Sequence, residues 1–272
     1  RVVAALADSP VPVARAVTMR DDDSVLGAPF QMVEYVPGQV VRTRAELDAL
    51  GGPDVVSDCV DSLITVLVDL HSIDPDAVGL GDFGRPAGYL ERQVRRWGSQ
   101  WEYVRLPDDP RDADVRRLHT RLADSVPPES RASIVHGDYR IDNTMLDADD
   151  PTIVRAVLDW EMSTLGDPLS DVAVMVVQRD PALNTVLGMQ AAWSAPTMPS
   201  QDDLAHRYAV ASGHPLAHWE FQMALGYFKL GIIVAGIEHR SRASADGTAG
   251  DAAEPMGEAV DVLISAGLAA LG

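Results

Sequence analysis

Between residues 53 and 73 the apolar positions Val56, Val60, Leu63, Leu67 and Leu70 recur in alternate steps of four and three. That spacing returns each side chain to one face of a 3.6-residue helix, so the segment predicts an amphipathic helix with a single buried stripe. Cys59 falls on the apolar side and reads as a small core residue. The same reasoning predicts helices at 86–105, rich in Arg and Trp, and at 112–125. Others are expected at 168–179, 202–212, 218–239 and 255–271. Asp167-Pro168 opens the first of these with an N-cap carboxylate and a proline in the first turn. The helix at 218–239 is the most apolar, but Lys229 lies within it, so it reads as a buried core helix rather than a membrane span.

Elsewhere the pattern is shorter. Residues 1–8 resemble the last turns of a helix stopped by Asp8-Ser9-Pro10, and a helical pattern already under way at Arg1 predicts preceding residues. Two short strands are expected at 14–19 and 30–35, separated by the polar turn at 20–24, with Pro37-Gly38 as a boundary. From 133 to 159 the chain turns into short β-prone runs: Ile134-Val135, Thr144-Met145-Leu146 and 153–158. The last two are joined by the turn Ala148-Asp149-Asp150-Pro151, which predicts a hairpin. Residues 241–254 are small and polar and read as a mobile loop. No internal repeat is present.

With 272 residues, 46% of them hydrophobic, the chain can build one large domain or two smaller ones sharing an interface. Its formal charge of −19 repels phosphate backbones and anionic headgroups, so neither nucleic acid nor a membrane is an expected partner. A single cysteine forms no internal disulfide, which fits a reducing, cytoplasmic setting, and no signal-peptide pattern is found. Motifs for serine hydrolases, zinc proteases and dithiol redox chemistry are missing. Residues 79–84, Gly-Leu-Gly-Asp-Phe-Gly, match a dinucleotide loop in letters only. Such a loop must follow a strand and open a helix, whereas this one follows a helix and runs into Pro86.

The chemistry gathers in His136-Gly137-Asp138-Tyr139-Arg140-Ile141-Asp142-Asn143, followed later by Leu158-Asp159-Trp160-Glu161. A hairpin brings its open ends together, so Asn143 and Asp159 should lie side by side with Asp138 one loop away. Two carboxylates and an amide oxygen are hard ligands suited to Mg²⁺ beside substrate phosphates. A solvated acidic loop would also carry such residues. The joint pattern of spacing, hairpin and a second acid on the return strand favours the chemical reading.

Asp138 and Asn143 stand at the spacing of the protein-kinase catalytic loop. The His-Gly-Asp version with a following Leu-Asp-Trp-Glu resembles the aminoglycoside phosphotransferase and choline kinase superfamily. Within it, VLDWEMSTLGDPLSDVA is most similar to the branch of kinase domains fused to acyl-CoA dehydrogenases. The resemblance runs from VPVARAV and MVEYVPG near the start to YFKL near the end. It implies an α+β, protein-kinase-like fold: a mostly helical C-lobe at 37–272 with an embedded β-hairpin, plus a remnant of the β-rich N-lobe and hinge at 1–36. The activity implied is ATP- and Mg²⁺-dependent transfer of the γ-phosphate to a hydroxyl of a small molecule. An acidic surface suits an aminoglycoside-like acceptor, whereas the branch suggests a hydroxyacyl-CoA-like one.

Carried over by position, Asp138 is the catalytic base or hydroxyl-orienting carboxylate, and Asn143 and Asp159 are the Mg²⁺ ligands. Arg140 stands where protein kinases place a lysine near the transferred group, with a structural arginine as the alternative. His136 supports the loop from beneath. Asp171 resembles the family's buried acid that holds the loop by backbone hydrogen bonds, and it is also placed to favour a helix N-terminus. The Glu34 carbonyl and Val36 amide would edge the adenine pocket, unless this is an ordinary edge strand. Trp97, Trp101 and Trp193 could line an apolar acceptor pocket or pack in the core. A complete kinase also needs a phosphate loop and a strand lysine upstream of the hinge. The only lysine is Lys229, so the expectation is a segment missing before Arg1. The rival expectation is a catalytically inactive, kinase-like binding or scaffold protein.

Overall fold

The computed structural model describes residues 1–243 and 250–272. After the short helix α1 (Val2–Ala5), strand β1 (Ala16–Arg20) pairs antiparallel with β2 (Phe30–Val33), and both are largely exposed. The strand expected to reach Tyr35 stops at Val33. The amide of Glu34 makes a last bond to the Arg15 carbonyl at 2.8 Å, and the chain then runs on without a ladder partner to Pro37. Helix α2 (Arg44–Leu50) is too short to show a period and was not anticipated. A capping box defines it: the Glu46 amide donates to Thr43 Oγ1 at 3.2 Å, and the Thr43 amide donates to Glu46 Oε2 at 2.8 Å.

Helix α3 (Pro53–Ser72) buries the whole predicted stripe, Cys59 included. It packs with β3 (Ser133–Val135) and α8 (Gln201–Ser212) around a core containing Leu6, Leu63, Ile134, Tyr139 and Trp193. A second core joins α4 (Tyr89–Val104), α5 (Asp112–Asp124), α9 (Trp219–Ala243) and α10 (Gly250–Ala270) through Leu90, Trp101, Leu118, Phe228 and Leu263. Helix α9 is long and apolar enough to cross a membrane, but 72% of its apolar window is buried inside the protein, as expected of a core helix. The loop expected at 241–254 is shorter at both ends, since α9 continues to Ala243 and α10 begins at Gly250. Its middle, 244–249, lies outside the described residues.

Helix α6 (Pro168–Val177) stands between the two cores, with all ten residues buried. Val172, Met175 and Val176 belong to one core and Val177 to the other. A helix covered on every side has no polar face to keep, hence the unbroken apolar run 172–177 that follows Ser170 and Asp171 of its first turn. Its first turn is closed by Asp167, whose carboxylate accepts from the Leu169 amide at 2.9 Å. The six-residue α7 (Ala182–Leu187) follows.

The expected hairpin forms from β4 (Thr144–Leu146) and β5 (Val154–Val157), with Thr144 opposite Val157 at the open end. Strand β3 pairs instead with β6 (Thr164–Gly166), three residues that carry no strand pattern of their own. The segment after Pro37 docks on the hairpin as well: Gln39 and Leu146 exchange two backbone bonds of 2.8 Å. The Val157 amide reaches the Pro12 carbonyl at 2.8 Å, so the N-terminal segment is tied to the same hairpin.

Trp101 and Trp193 are core residues, their indole N–H groups donating to Asp112 Oδ1 and the Met175 carbonyl, each at 2.9 Å. In the second core Arg111 bridges Asp109 and Glu238, each at 2.7 Å, and all three are buried.

Candidate active site

The loop 136–143 begins with a turn that admits only glycine. Gly137 has φ +86°, and a Cβ there would stand 2.8 Å from the Met162 carbonyl oxygen. From the first turn of α6, buried Asp171 reaches this turn and accepts the amides of His136 at 2.6 Å and Gly137 at 2.7 Å. His71, in the last turn of α3, adds a third bond at 3.2 Å and meets the Tyr208 hydroxyl through its other nitrogen at 2.8 Å. Burial alone would raise the Asp171 pKa. The His71 hydrogen bond, together with the His136 amide, outweighs it and holds the group below the usual carboxylate range.

His136 Nδ1 accepts the Asp138 amide at 3.3 Å, while Nε2 faces the Leu158 carbonyl at 2.8 Å. An amide can only donate and a carbonyl only accept, so Nδ1 is the acceptor and Nε2 the donor. The ring thereby ties the 136–143 turn to the segment that delivers Asp159.

Asp138 is gripped by neutral amides. Asn143 Nδ2 donates to its carbonyl at 2.7 Å and to Oδ2 at 2.8 Å, and Gln178 Nε2 donates to Oδ1 at 2.9 Å. Arg140 Nε lies 3.7 Å from Oδ1, and its Nη1 pairs with Asp142 at 3.0 Å. Two buried polar atoms here, Arg140 Nε and Asp142 Oδ1, lack hydrogen-bond partners among the described residues. Burial raises the Asp142 pKa, with Arg140 opposing and Asp138 reinforcing the shift.

The cation question turns on Asn143 and Asp159. Both Asn143 bonds use the amide nitrogen, which leaves its oxygen for a cation. Asp159 is exposed at φ 58°, and among the described residues no hydrogen bond or ion pair engages its carboxylate. The Leu158 amide donates to the Asn143 carbonyl at 2.8 Å, which places the two residues side by side. No group of three or more His, Cys, Asp or Glu gathers as a metal cage among the described residues. Two hard oxygens without a cage suit Mg²⁺, which takes the rest of its shell from phosphates and water.

Glu34 and Val36 do not touch this cluster; they precede Gln39, which joins the hairpin at Leu146. Among the described residues no backbone bond engages the Glu34 carbonyl or the Val36 amide.

Sequence reasoning missed Gln178 and Lys229. Gln178 is the polar residue that ends the apolar run 172–177, and Lys229 is the one charge within the apolar stretch 221–237; each was visible as a break in its pattern. Lys229 Nζ donates to the Gly137 carbonyl at 2.8 Å. Burial lowers its pKa against the opposing pull of Asp171 and Asp138.

Two cavities flank this turn. One, of about 260 Å³, is walled by Leu183, Val186, Leu230, Ile233 and Ile237 and has Asp138 in its lining. The other, of about 460 Å³, is polar and lies against α4 and β6. Gly137, Met162 and Lys229 belong to both. The last glycine of the 79–84 run, Gly84, packs against β6, where a Cβ would lie 2.6 Å from Thr164 Oγ1. That run is therefore a packing loop.

A helical lobe with a hairpin, an Asp–Asn loop clamped by a buried acid, and an acid on the return strand define a kinase-like phosphotransferase domain. Residues 1–207 match the phosphotransferase enzyme family, and the chain belongs to that family. It is 32% identical, with a TM-score of 0.79, to a crystal structure from Ralstonia eutropha provisionally assigned as an aminoglycoside phosphotransferase, covering 97% of this chain and 81% of that one. Aminoglycoside phosphotransferase APH(4)-Ia, solved with AMP-PNP and hygromycin B, shares the fold at a TM-score of 0.62 and 15% identity, covering 98% of this chain and 81% of that one. Mouse acyl-CoA dehydrogenase family member 10 is 31% identical over 89% of this chain and 22% of its own length. Human family member 11 is 31% identical over 84% and 29%. The chain thus spans less than a third of these curated relatives.

Proposed function

We propose that this domain transfers the γ-phosphoryl group of ATP, with Mg²⁺, to a hydroxyl of a small molecule. The observation that carries the reading is Asp138, held by Asn143 and Gln178 at the wall of a cavity while Asn143 and Asp159 present hard oxygens beside it. Asp138 orients the acceptor hydroxyl and takes its proton as the oxygen attacks the γ-phosphorus. The new O–P bond forms as the bond to the β–γ bridging oxygen breaks, and ADP leaves with that electron pair. Arg140, which lines the same cavity as Asp138, faces the transferred group. The Glu34 carbonyl and Val36 amide receive the adenine edge. Mg²⁺, held by Asn143 and Asp159, would neutralise charge on the phosphates. Nucleotides in the neighbouring solved structures support this reading. The acceptor is aminoglycoside-like, as in the hygromycin complex, or hydroxyacyl-CoA-like, as the dehydrogenase-fused relatives suggest.

The test is ATP turnover by the full-length natural protein against aminoglycosides and hydroxyacyl-CoA thioesters, with Asp138→Asn as control. Acceptor-dependent ADP formation that this variant abolishes is expected. Turnover that survives the variant would remove Asp138 from the mechanism. A second reading, a nucleotide-binding protein without turnover, draws on the fact that both Asp138 carboxylate oxygens already accept amide bonds. Stabilisation by Mg·ATP with no product from any acceptor would select it.

A further inference from the structure

The polar cavity beside Gly137 has an unusual wall for a chain of net charge −19. Arg85, Arg92 and Arg96 line it together with Lys229, against one carboxylate, Glu161. Arg92 is turned inward on the carbonyls of Arg85 and Ala87, which braces the loop carrying Arg85. Among the described residues no carboxylate pairs with Arg85 or Arg96; the Arg96 guanidinium lies 5.2 Å from the Trp97 ring. Ser163 also lines the cavity, and its buried hydroxyl has no hydrogen-bond partner among the described residues. Two guanidinium groups without a carboxylate partner, the Lys229 amine and the Ser163 hydroxyl outnumber the one carboxylate and make a donor-rich surface, which is complementary to an anion.

We infer that this cavity is an anion-binding subsite that takes a phosphate or carboxylate group of the acceptor, with Arg85 and Arg96 as its specificity-determining residues. The inference rests on the phosphotransferase reading for its link to the acceptor. The cavity shares Gly137 and Lys229 with the apolar one that Asp138 lines, so a molecule anchored by its anionic group extends past the catalytic carboxylate into an aliphatic space. The same wall repels a polycationic acceptor, whatever the net charge of the whole surface.

Calorimetric titration tests this with three probes of one chain length: hexyl phosphate, heptanoate and neutral 1-hexanol. Each is titrated into the full chain and into the double variant Arg85→Ala/Arg96→Ala. Both arginines lie exposed at the cavity, so the variant should keep its melting temperature and its Mg·AMP-PNP affinity. At least one anionic probe should bind the natural chain about tenfold tighter than hexanol, and the preference should shrink in high salt and vanish in the variant. Hexyl phosphate ahead of heptanoate identifies a phosphate site, and the reverse order a carboxylate site. Equal binding of charged and neutral probes, or a preference that survives the variant, overturns the proposal. A parallel loss of Mg·AMP-PNP affinity also overturns it, by assigning the cavity to the nucleotide. Failure of the natural chain to bind Mg·AMP-PNP while hexyl phosphate still binds would instead count against the phosphotransferase reading alone.

Discussion

Gln178 donates its side-chain amide to Oδ1 of Asp138 at 2.9 Å, while Asn143 holds the other carboxylate oxygen at 2.8 Å. Asp138 is thus oriented from the end of α6, the helix whose first turn also carries Asp171. One rigid, buried element positions the loop at both its backbone and its side chain.

Gln178→Ala should lower kcat about a hundredfold, the low end of the range for misplacing a proton-accepting group, with little change in the KM for ATP. Gln178→Glu sets a second carboxylate beside Asp138 and raises the pKa of Asp138. The acidic limb of the kcat–pH profile should then move to higher pH. An unshifted profile would mean that Gln178 does not face the reacting group.

Asp159→Asn keeps a residue that tolerates the left-handed backbone but removes the charge. The natural protein at a ligand concentration of 100 Kd should gain about 2.7 kcal/mol from Mg·AMP-PNP. Most of the Mg²⁺-dependent part should disappear in the variant, as read by thermal shifts with and without EDTA.

Asp171→Asn leaves at least one of two buried backbone amides without an acceptor and should cost about 3 kcal/mol, measured by urea denaturation near neutral pH. The sign of the pH effect follows from the lowered pKa of Asp171. Its stabilisation is complete above the unfolded carboxylate value, about 4, and is lost as pH falls through the lower folded value. The gap between natural protein and variant should therefore close in acid.

Gly137→Ala combines a positive φ with a Cβ 2.8 Å from the Met162 oxygen. A loss of about 1–3 kcal/mol is expected, with turnover falling further than stability because Asp138 is the next residue. Equal losses at all temperatures below melting would point to a merely structural turn.

Arg111→Met removes the cation between two buried carboxylates, Asp109 and Glu238. A cost of about 3–5 kcal/mol is expected by calorimetry. The triple change Asp109→Asn, Arg111→Met, Glu238→Gln should recover part of it.

The stripe of α3, the Asp167-Pro168 start of α6 and the hairpin at 144–157 were legible in the chain itself, because each depends on contacts a few residues apart. So was the proximity of Asn143 and Asp159, which a hairpin guarantees once its turn is recognised. Short elements escaped: α7 and β6 span too few residues for a period, and β6 exists because β3 needs a partner. Arg85, Arg92 and Arg96 stood together as an arginine-rich stretch within an acidic chain, and only folding brings Lys229 beside them around one cavity. Gln178 and Lys229 read locally as breaks in apolar helices. Their partners, Asp138 and Gly137, lie 40 and 92 residues away in sequence. Local periodicity carries no information about which distant polar group will lie opposite; that choice is made when two cores close on the helix between them, and most buried donors then find an acceptor.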